Sequence, residues 1–251
     1  MTETDNYDVL VVGGGHAGSE ATLAAARMGA RTLLLTAQIS AIGRMPCNPA
    51  IGGLAKSHLV YELDAMGGEM GKNADATALQ SKTLNMSRGP AVRATRAQCA
   101  KKEYSERIQS VVLSTPGLTV VEDLAAEILT TAQEDGSLTA IGVSTASGRI
   151  FHAKSIVITS GTSLRGRIWI GKQGEESGGD SRPAANALSS SLESLGFRLV
   201  RLKTGPPPRL AADSCDFTRC QRQDGESPRP MFHVEHSDSR HPLMFHVEHS
   251  S

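Results

Sequence analysis

The sequence is poor in aromatic residues: Phe, Trp and Tyr together make up 4% of it. A core must therefore be built from Ala, Val, Leu and Ile, which suits a parallel sheet covered by helices on both faces. Its four cysteines, Cys47, Cys99, Cys215 and Cys220, are too sparse for a disulfide framework. Cys215 and Cys220 stand alone with four residues between them, so no zinc site is expected. Net charge is also lacking, because Lys+Arg and Asp+Glu number 26 each. A whole-chain basic signature for nucleic acid is excluded, and any such surface must be a local patch. No apolar run is long enough to span a bilayer. Met1-Thr2-Glu3-Thr4-Asp5 has neither a basic n-region nor a signal-like apolar stretch. A reducing, cytoplasmic setting is the expectation.

What is present begins with Tyr7-Asp8-Val9-Leu10-Val11-Val12, an apolar strand that runs into Gly13-Gly14-Gly15-His16-Ala17-Gly18. A glycine turn between strand and helix lets backbone N–H groups approach a diphosphate, and the helix N-terminus favours its charge. Ala17, Ala21, Ala24, Ala25 and Met28 continue as a helical stripe, Gly29 ends it, and Arg31 to Thr36 reads as a second parallel strand. The acidic residue that usually holds a ribose is lacking at the end of that strand. Thr36 or Gln38 stands in its place, and the sequence leaves the choice open.

Further along, Leu54 to Met66 reads as a helix, residues 69 to 95 as polar and irregular, and Ala97 to Leu113 as a second long helix. From Leu118 the period becomes that of strands: 119–122, 127–131, 138–145, 149–152 and 155–159. A meander returning to an apolar strand that ends in Ser160-Gly161-Thr162 has the layout of flavin-binding, two-dinucleotide oxidoreductases. That analogy favours FAD over NAD at the first site. Ala187 to Leu195 reads as a helix and Phe197 to Leu202 as a strand, before Pro206-Pro207-Pro208 blocks regular structure. Met231-Phe232-His233-Val234-Glu235-His236 recurs word for word at Met244 to His249. Its histidines suggest either a metal site or a disordered end, and disorder is the expectation because no third element supplies a shell around a metal.

Two segments carry candidate chemistry. Cys47 lies in Arg44-Met45-Pro46-Cys47-Asn48-Pro49, just ahead of the expected helix and near Arg44 and Lys56 in sequence. That setting lowers a thiol pKa and makes a nucleophile, while a buried inert cysteine is the alternative. Arg88, Arg93, Arg96, Lys101, Lys102 and Arg107 form a basic cluster, with Arg93 and Arg96 at a helix entry where positive charge opposes the dipole. Contact with RNA phosphates and a solvated helix face are the two readings.

Taken together, these segments resemble the tRNA wobble-uridine modification flavoproteins, the MnmG (GidA) family. The resemblance rests on Gly13 to Ala21, Cys47 to Gly53, Asp64 to Gly68, Arg88 to Gln98 and Arg201 to Gly205, and covers about residues 7 to 232. It implies an α/β, Rossmann-like FAD-binding fold of the glutathione-reductase type, incomplete and carrying the start of an inserted second domain. The expected division is 1–165 for the first part of the FAD domain, 166–230 for the start of the insert and 231–251 for the His-rich tail. The implied activity adds a carboxymethylaminomethyl group to carbon 5 of the wobble uridine, with the GTPase MnmE as partner, NADH as reductant, a homodimer in the full-length family and a heterotetramer with the partner. By the same carry-over, Gly13, Gly14, Gly15, His16, Ala17 and Gly18 cradle the FAD diphosphate and Ala126 touches FAD through its backbone. Cys47 is the reactive thiol, and Arg93 and Arg96 face flavin or tRNA. A folate- and FAD-dependent tRNA uracil-5-methyltransferase and an inactive FAD-binding fragment are the alternatives. Family members are longer, so a truncated chain is expected. The family's Thr-Gly-Thr-Pro-Pro-Arg is replaced by Thr204 to Arg209, with Pro206 where Thr is usual.

Overall fold

The computed structural model describes residues 6–179, 182–203, 205 and 210–234. Its centre is a sheet built on β1 (Asn6–Val12), β2 (Thr32–Thr36), β6 (Leu118–Glu122), β7 (Ala125–Ala132), β8 (Leu138–Thr145) and β9 (Ile150–Ile158). The order is β6-β2-β1-β9-β8-β7. β1 pairs in parallel with β2 and with β9, and β2 pairs in parallel with β6, whereas β7 and β8 form an antiparallel meander. The expected strands 149–152 and 155–159 are one continuous strand, β9.

Period-two alternation sends successive residues of these strands to opposite faces, and both faces are covered. Leu10, Val12, Leu33 and Leu35 belong to one core with Phe151, Leu188 and Leu192. Val11 and Leu34 belong to the other, with Leu23, Ile108 and Val112. That is why β1 and β2 read as unbroken apolar runs. Each fully buried Leu contributes roughly 1.5–3 kcal/mol of transfer free energy.

The second core is closed by α1 (His16–Arg27) and α4 (Lys101–Ser114). Met28, expected on the inner stripe of α1, lies just past its end and is exposed. Beside this layer stands a small antiparallel sheet of β3 (Ala50–Gly52), β4 (Ala78–Leu84) and β5 (Ala94–Cys99), ordered β3-β5-β4. Two helices join them, α2 (Ser57–Ala65) and α3 (Met70–Thr77). The segment 69–95 is therefore not irregular. α3 is a helix of poor formers made stable by context. The Glu20 carboxylate of α1 accepts the N–H of Glu69 at 3.1 Å and of Met70 at 2.6 Å, supplying the N-terminal cap from another element. Glu69 is itself buried between Arg27 and Arg107, at 2.7 and 2.9 Å. Burial pushes its carboxyl up, but the hydrogen bonds and charges of the two guanidiniums hold it below the usual carboxylate range.

The expected helix from Ala97 starts only at Lys101, because Ala94–Cys99 is taken up as a strand by pairing with β3 and β4. The stretch 166–200 contains a hairpin of β10 (Arg167–Ile170) and β11 (Gln173–Glu176) and then α5 (Asn186–Ser194). α5 packs on β7, where the Ser191 hydroxyl accepts the Ile128 N–H at 2.9 Å. Phe197 to Leu202 is extended by pattern but has no regular structure, since no strand pairs with it. Met231–Val234, expected as part of a disordered end, instead pack on the small sheet and its helices. Phe232 there is 2% exposed. The remaining tail, 235–251, lies outside the described residues, as do Thr204 and Pro206 to Arg209. Among the described residues no helix is long and apolar enough to cross a membrane.

Candidate functional site: a glycine-turn cavity at the switch of the sheet

A cavity of about 310 Å³ opens at the C-terminal ends of β1, β2 and β9. In open α/β sheets ligands bind where neighbouring connections depart to opposite faces, and this cavity has that position. Its floor is Gly13, Gly14, Gly15 and His16. Its walls are Thr36 to Gln38, Asp123 to Ala125, and Thr159 to Ser163.

The glycines have separate physical roles. Gly13 has φ +103° and a Cβ there would strike the Thr159 carbonyl. Gly18, on the inner side of α1, has no room for a Cβ against the Gly13 carbonyl, so its bareness brings helix and turn together. Gly14 faces Ile42, 2.8 Å from where its Cβ would be, and the Gly14 carbonyl accepts the Gly43 N–H at 2.9 Å. Gly15 differs from all three, because nothing lies within 4 Å of its Cβ position. It forms part of the cavity surface and is the N-cap of α1, with no side-chain cap. The first-turn amides of a helix have no intrahelical acceptor. A bare N-terminus at a cavity floor is the arrangement that binds an anionic group, and it fits the diphosphate of a dinucleotide.

The returning strand closes the site. Thr159 donates its N–H to the Val12 carbonyl at 2.8 Å, and its hydroxyl bridges the carbonyls of Val12 and Gly13 at 2.8 and 3.0 Å. The loop after β2 forms another wall through Ala41, Arg44 and Pro46. Asp123 holds the turn between β6 and β7, accepting the Leu124 N–H at 2.7 Å and a short bond from the Ser147 hydroxyl. Burial of Asp123 raises its pKa, but those hydrogen bonds dominate and hold it below the usual range. Where the second strand lacks a carboxylate, Thr36 and Gln38 both reach the cavity and Asp123 is the acid beside it.

His16 lines the cavity and lies against the Tyr104 ring, centroids 5.6 Å apart and planes inclined 36°. Burial holds its imidazole below the ordinary value, and its Nε2 has no hydrogen-bond partner among the described residues. The same burial drives the Tyr104 phenol far up.

The other expected site residues lie elsewhere. Ala126 is inside β7 rather than past a strand, at a bulge where the register slips between Ala125 and Glu127; its neighbour Ala125 lines the cavity. Cys47 is exposed, and β3 separates it from α2, so it does not stand at a helix N-terminus. Arg93 is exposed and caps a short 3₁₀ turn, and Arg96 is on β5, so neither opposes a helix dipole. Arg96 pairs with Gly52 in register and its Cδ lies 3.8 Å from the Gly53 Cβ position. The small sheet thus brings Arg96 beside the loop that follows Cys47, apart from the cavity lining. Sequence reasoning missed Arg182 and Leu188, which line the cavity from the far end of the chain. No local signal marks them, because only the docking of α5 on β7 carries them there.

The family profile described as Glucose inhibited division protein A matches residues 8–247. Over 237 residues, covering 94% of this chain, the sequence is 47% identical to the tRNA uridine 5-carboxymethylaminomethyl modification enzyme MnmG of Lacticaseibacillus paracasei. The protein of that name from Lactobacillus gasseri is 46% identical over 94% of this chain. The chain spans 37% of the length of each of these relatives. Among solved structures, GidA of Aquifex aeolicus superposes with a TM-score of 0.86 at 41% identity, covering 92% of this chain and 38% of that one. The GidA-related protein of Thermus thermophilus shares the fold, with a TM-score of 0.55 at 22% identity over 77% of this chain and 70% of that one. The glycine turn at the sheet's switch, the match along nearly the whole chain and the 47% identity lead to one conclusion: the chain belongs to the Glucose inhibited division protein A family.

Proposed function

We propose that this chain forms the FAD-binding portion of an enzyme that adds a carboxymethylaminomethyl group to carbon 5 of the tRNA wobble uridine. Its place of work is the cytoplasm, its partner the GTPase MnmE, its reductant NADH and its full assembly a homodimer that joins the partner in a heterotetramer. The observation that carries the reading is Gly15, open to the cavity on an uncapped helix, in a chain 47% identical to an enzyme bearing that name.

The residues present fit FAD at the diphosphate. The amides at Gly15, His16 and Ala17 offer donors at the positive end of α1. Gly13, Gly14 and Gly18 hold the turn in the shape that exposes those amides, and Ala125, rather than Ala126, presents backbone from β7. When bound, FAD supplies the redox chemistry that uridine modification needs. Neutral His16, pressed on Tyr104, adds no positive charge and keeps water from the floor of the site. Exposed Cys47 offers a thiol on the loop leading to β3, the strand whose Gly52 pairs with Arg96 of β5. Exposed Arg93 offers a contact to tRNA phosphate. In domain terms, residues 1–165 supply the first part of the FAD site, 166–230 open the insert, and 231–251 follow as the tail.

The test is a titration of the full chain with FAD, read by flavin fluorescence, beside Gly15→Ala and Gly18→Ala. Gly15→Ala has space for its methyl, so it folds normally yet loses at least about tenfold in FAD affinity, roughly 1.4 kcal/mol. Gly18→Ala overlaps the Gly13 carbonyl and loses stability as well. In the same samples Arg93→Ala weakens tRNA binding and lowers the salt slope by about 1. No flavin binding by the parent, or equal affinity in Gly15→Ala, rejects the flavin assignment. An unchanged tRNA affinity in Arg93→Ala rejects that residue's role.

A further inference from the structure

The last described segment runs across α2, α3 and β4. Glu226 accepts the Thr83 N–H at 2.8 Å and the Thr83 hydroxyl at 3.1 Å. Arg229 donates to the carbonyls of Asp75 and Ala78 at 3.1 and 3.2 Å. Phe232 then enters the core. Its ring lies 5.3 Å from that of Tyr61, and its Cζ is 2.7 Å from where a Gly52 Cβ would be. Its own Cβ is 3.2 Å from the Gly71 Cβ position. The buried Asp75 carboxylate accepts the Phe232 N–H at 2.9 Å and the His233 N–H at 2.7 Å. Asp64 meets His233 Nδ1 at 2.9 Å. This seat therefore reads an apolar ring, two successive amides and an imidazole: a Phe-His dipeptide whose chain bends at the Phe.

The sequence contains that dipeptide twice, inside two identical hexapeptides, Met231–His236 and Met244–His249. We propose that Phe245-His246 is a second ligand for the Phe232-His233 seat of the same chain, so that the two copies exchange in one site. Each group the seat recognises lies within the repeated word; Gly52 leaves room for the tip of the ring, and Gly71 for the Cβ that carries it. The flanks differ. In the register of the repeat, Ser239 stands for Glu226 and Pro242 for Arg229, so the second copy lacks their hydrogen bonds. Phe232 is accordingly the favoured occupant and Phe245 the reserve. Seven residues, 237–243, separate the two copies, and the entropy of loop closure rises only slowly with length. This inference is independent of the flavin assignment.

The test uses thermal unfolding of the full chain and three variants: Phe232→Ala, Phe245→Ala and the pair. An emptied aromatic seat lowers Tm by about 10 °C, which is the drop expected of the pair. Phe232→Ala alone loses less than half of the pair's drop, because Phe245 takes the seat, and Phe245→Ala alone is unchanged. A pair that fails to fold while Phe232→Ala folds gives the same support. The proposal is overturned if Phe232→Ala loses half or more of the pair's drop, if it fails to fold, or if Phe245→Ala is itself destabilised.

Discussion

The Thr159 hydroxyl reaches the Gly13 carbonyl at 3.0 Å, joining the strand that closes the sheet to the turn that opens it, 146 positions earlier. The turn's shape is thus a tertiary property as much as a local one. Thr159→Val keeps the volume and the β-branch and deletes the hydroxyl. Two carbonyls lose a donor; that of Val12 keeps the Thr159 N–H, so the cost of about 1–2 kcal/mol falls on the Gly13 carbonyl. Urea unfolding is expected to show that loss with an unchanged m-value. FAD affinity falls with it, because the turn is no longer held at Gly13. An unaltered midpoint would mean that the Thr159 N–H suffices.

Glu69 links α1, α3 and α4 by meeting Arg27 and Arg107 from the N-cap position of α3. Glu69→Gln keeps the shape and removes the charge. Both arginines are more than a third exposed, so water screens what they lose. The expected cost is about 2 kcal/mol, below that of a fully buried pair. Because the folded carboxyl is held below its unfolded value, the stabilisation is complete above the unfolded pKa, 4.5, and fades as pH falls through the folded one. The parent and Glu69→Gln therefore converge in stability on acidification below about pH 4.5. Chemical denaturation at a series of pH values checks the convergence.

His16 carries the opposite proton linkage. Its folded pKa lies below 6.5, so the unfolded chain binds a proton that the folded chain refuses. Stability is fully present above pH 6.5 and declines as pH falls below it toward the folded value. His16→Phe removes this slope and retains the contact with the Tyr104 ring. The difference in unfolding free energy between parent and variant is expected to change as pH falls below 6.5 and to be flat above it. A parallel pair of curves over the whole range would contradict the burial of His16.

What the sequence made legible was local. β1, the glycine turn, α1 and β2 follow one another without a gap, and apolar periodicity and glycine chemistry suffice to read them. The polar stretch 69–95 was not legible. Met70–Thr77 is a helix because Glu20 caps it and because Asn73 buries its amide against the Tyr104 carbonyl at 2.9 Å, neither of which is a neighbour in sequence. β5 was read as the front of a helix because Ala97 and Cys99 continue smoothly into an amphipathic run; cross-strand pairing overrides that tendency. Phe197 to Leu202 shows the converse, a strand pattern without a strand to pair with. In the site, the cavity floor was legible, as were Thr36 and Gln38 at the end of β2, whereas Asp123 and Arg182 were not. Asp123, Thr159 and Arg182 arrive from three separate connections, and the sheet order together with the docking of α5 on β7 brings them to one cavity.

Asp75 and Phe232 are 157 positions apart, yet they are hydrogen-bonded partners in one packed unit. On the ribosome, the early-made small sheet and its two helices emerge with the place of the Phe232 ring, beside Gly52 and Tyr61, still unfilled. That unit cannot reach its final density until translation has delivered almost the entire described chain. During elongation the nascent polypeptide therefore carries an open apolar notch, the kind of surface that chaperones engage.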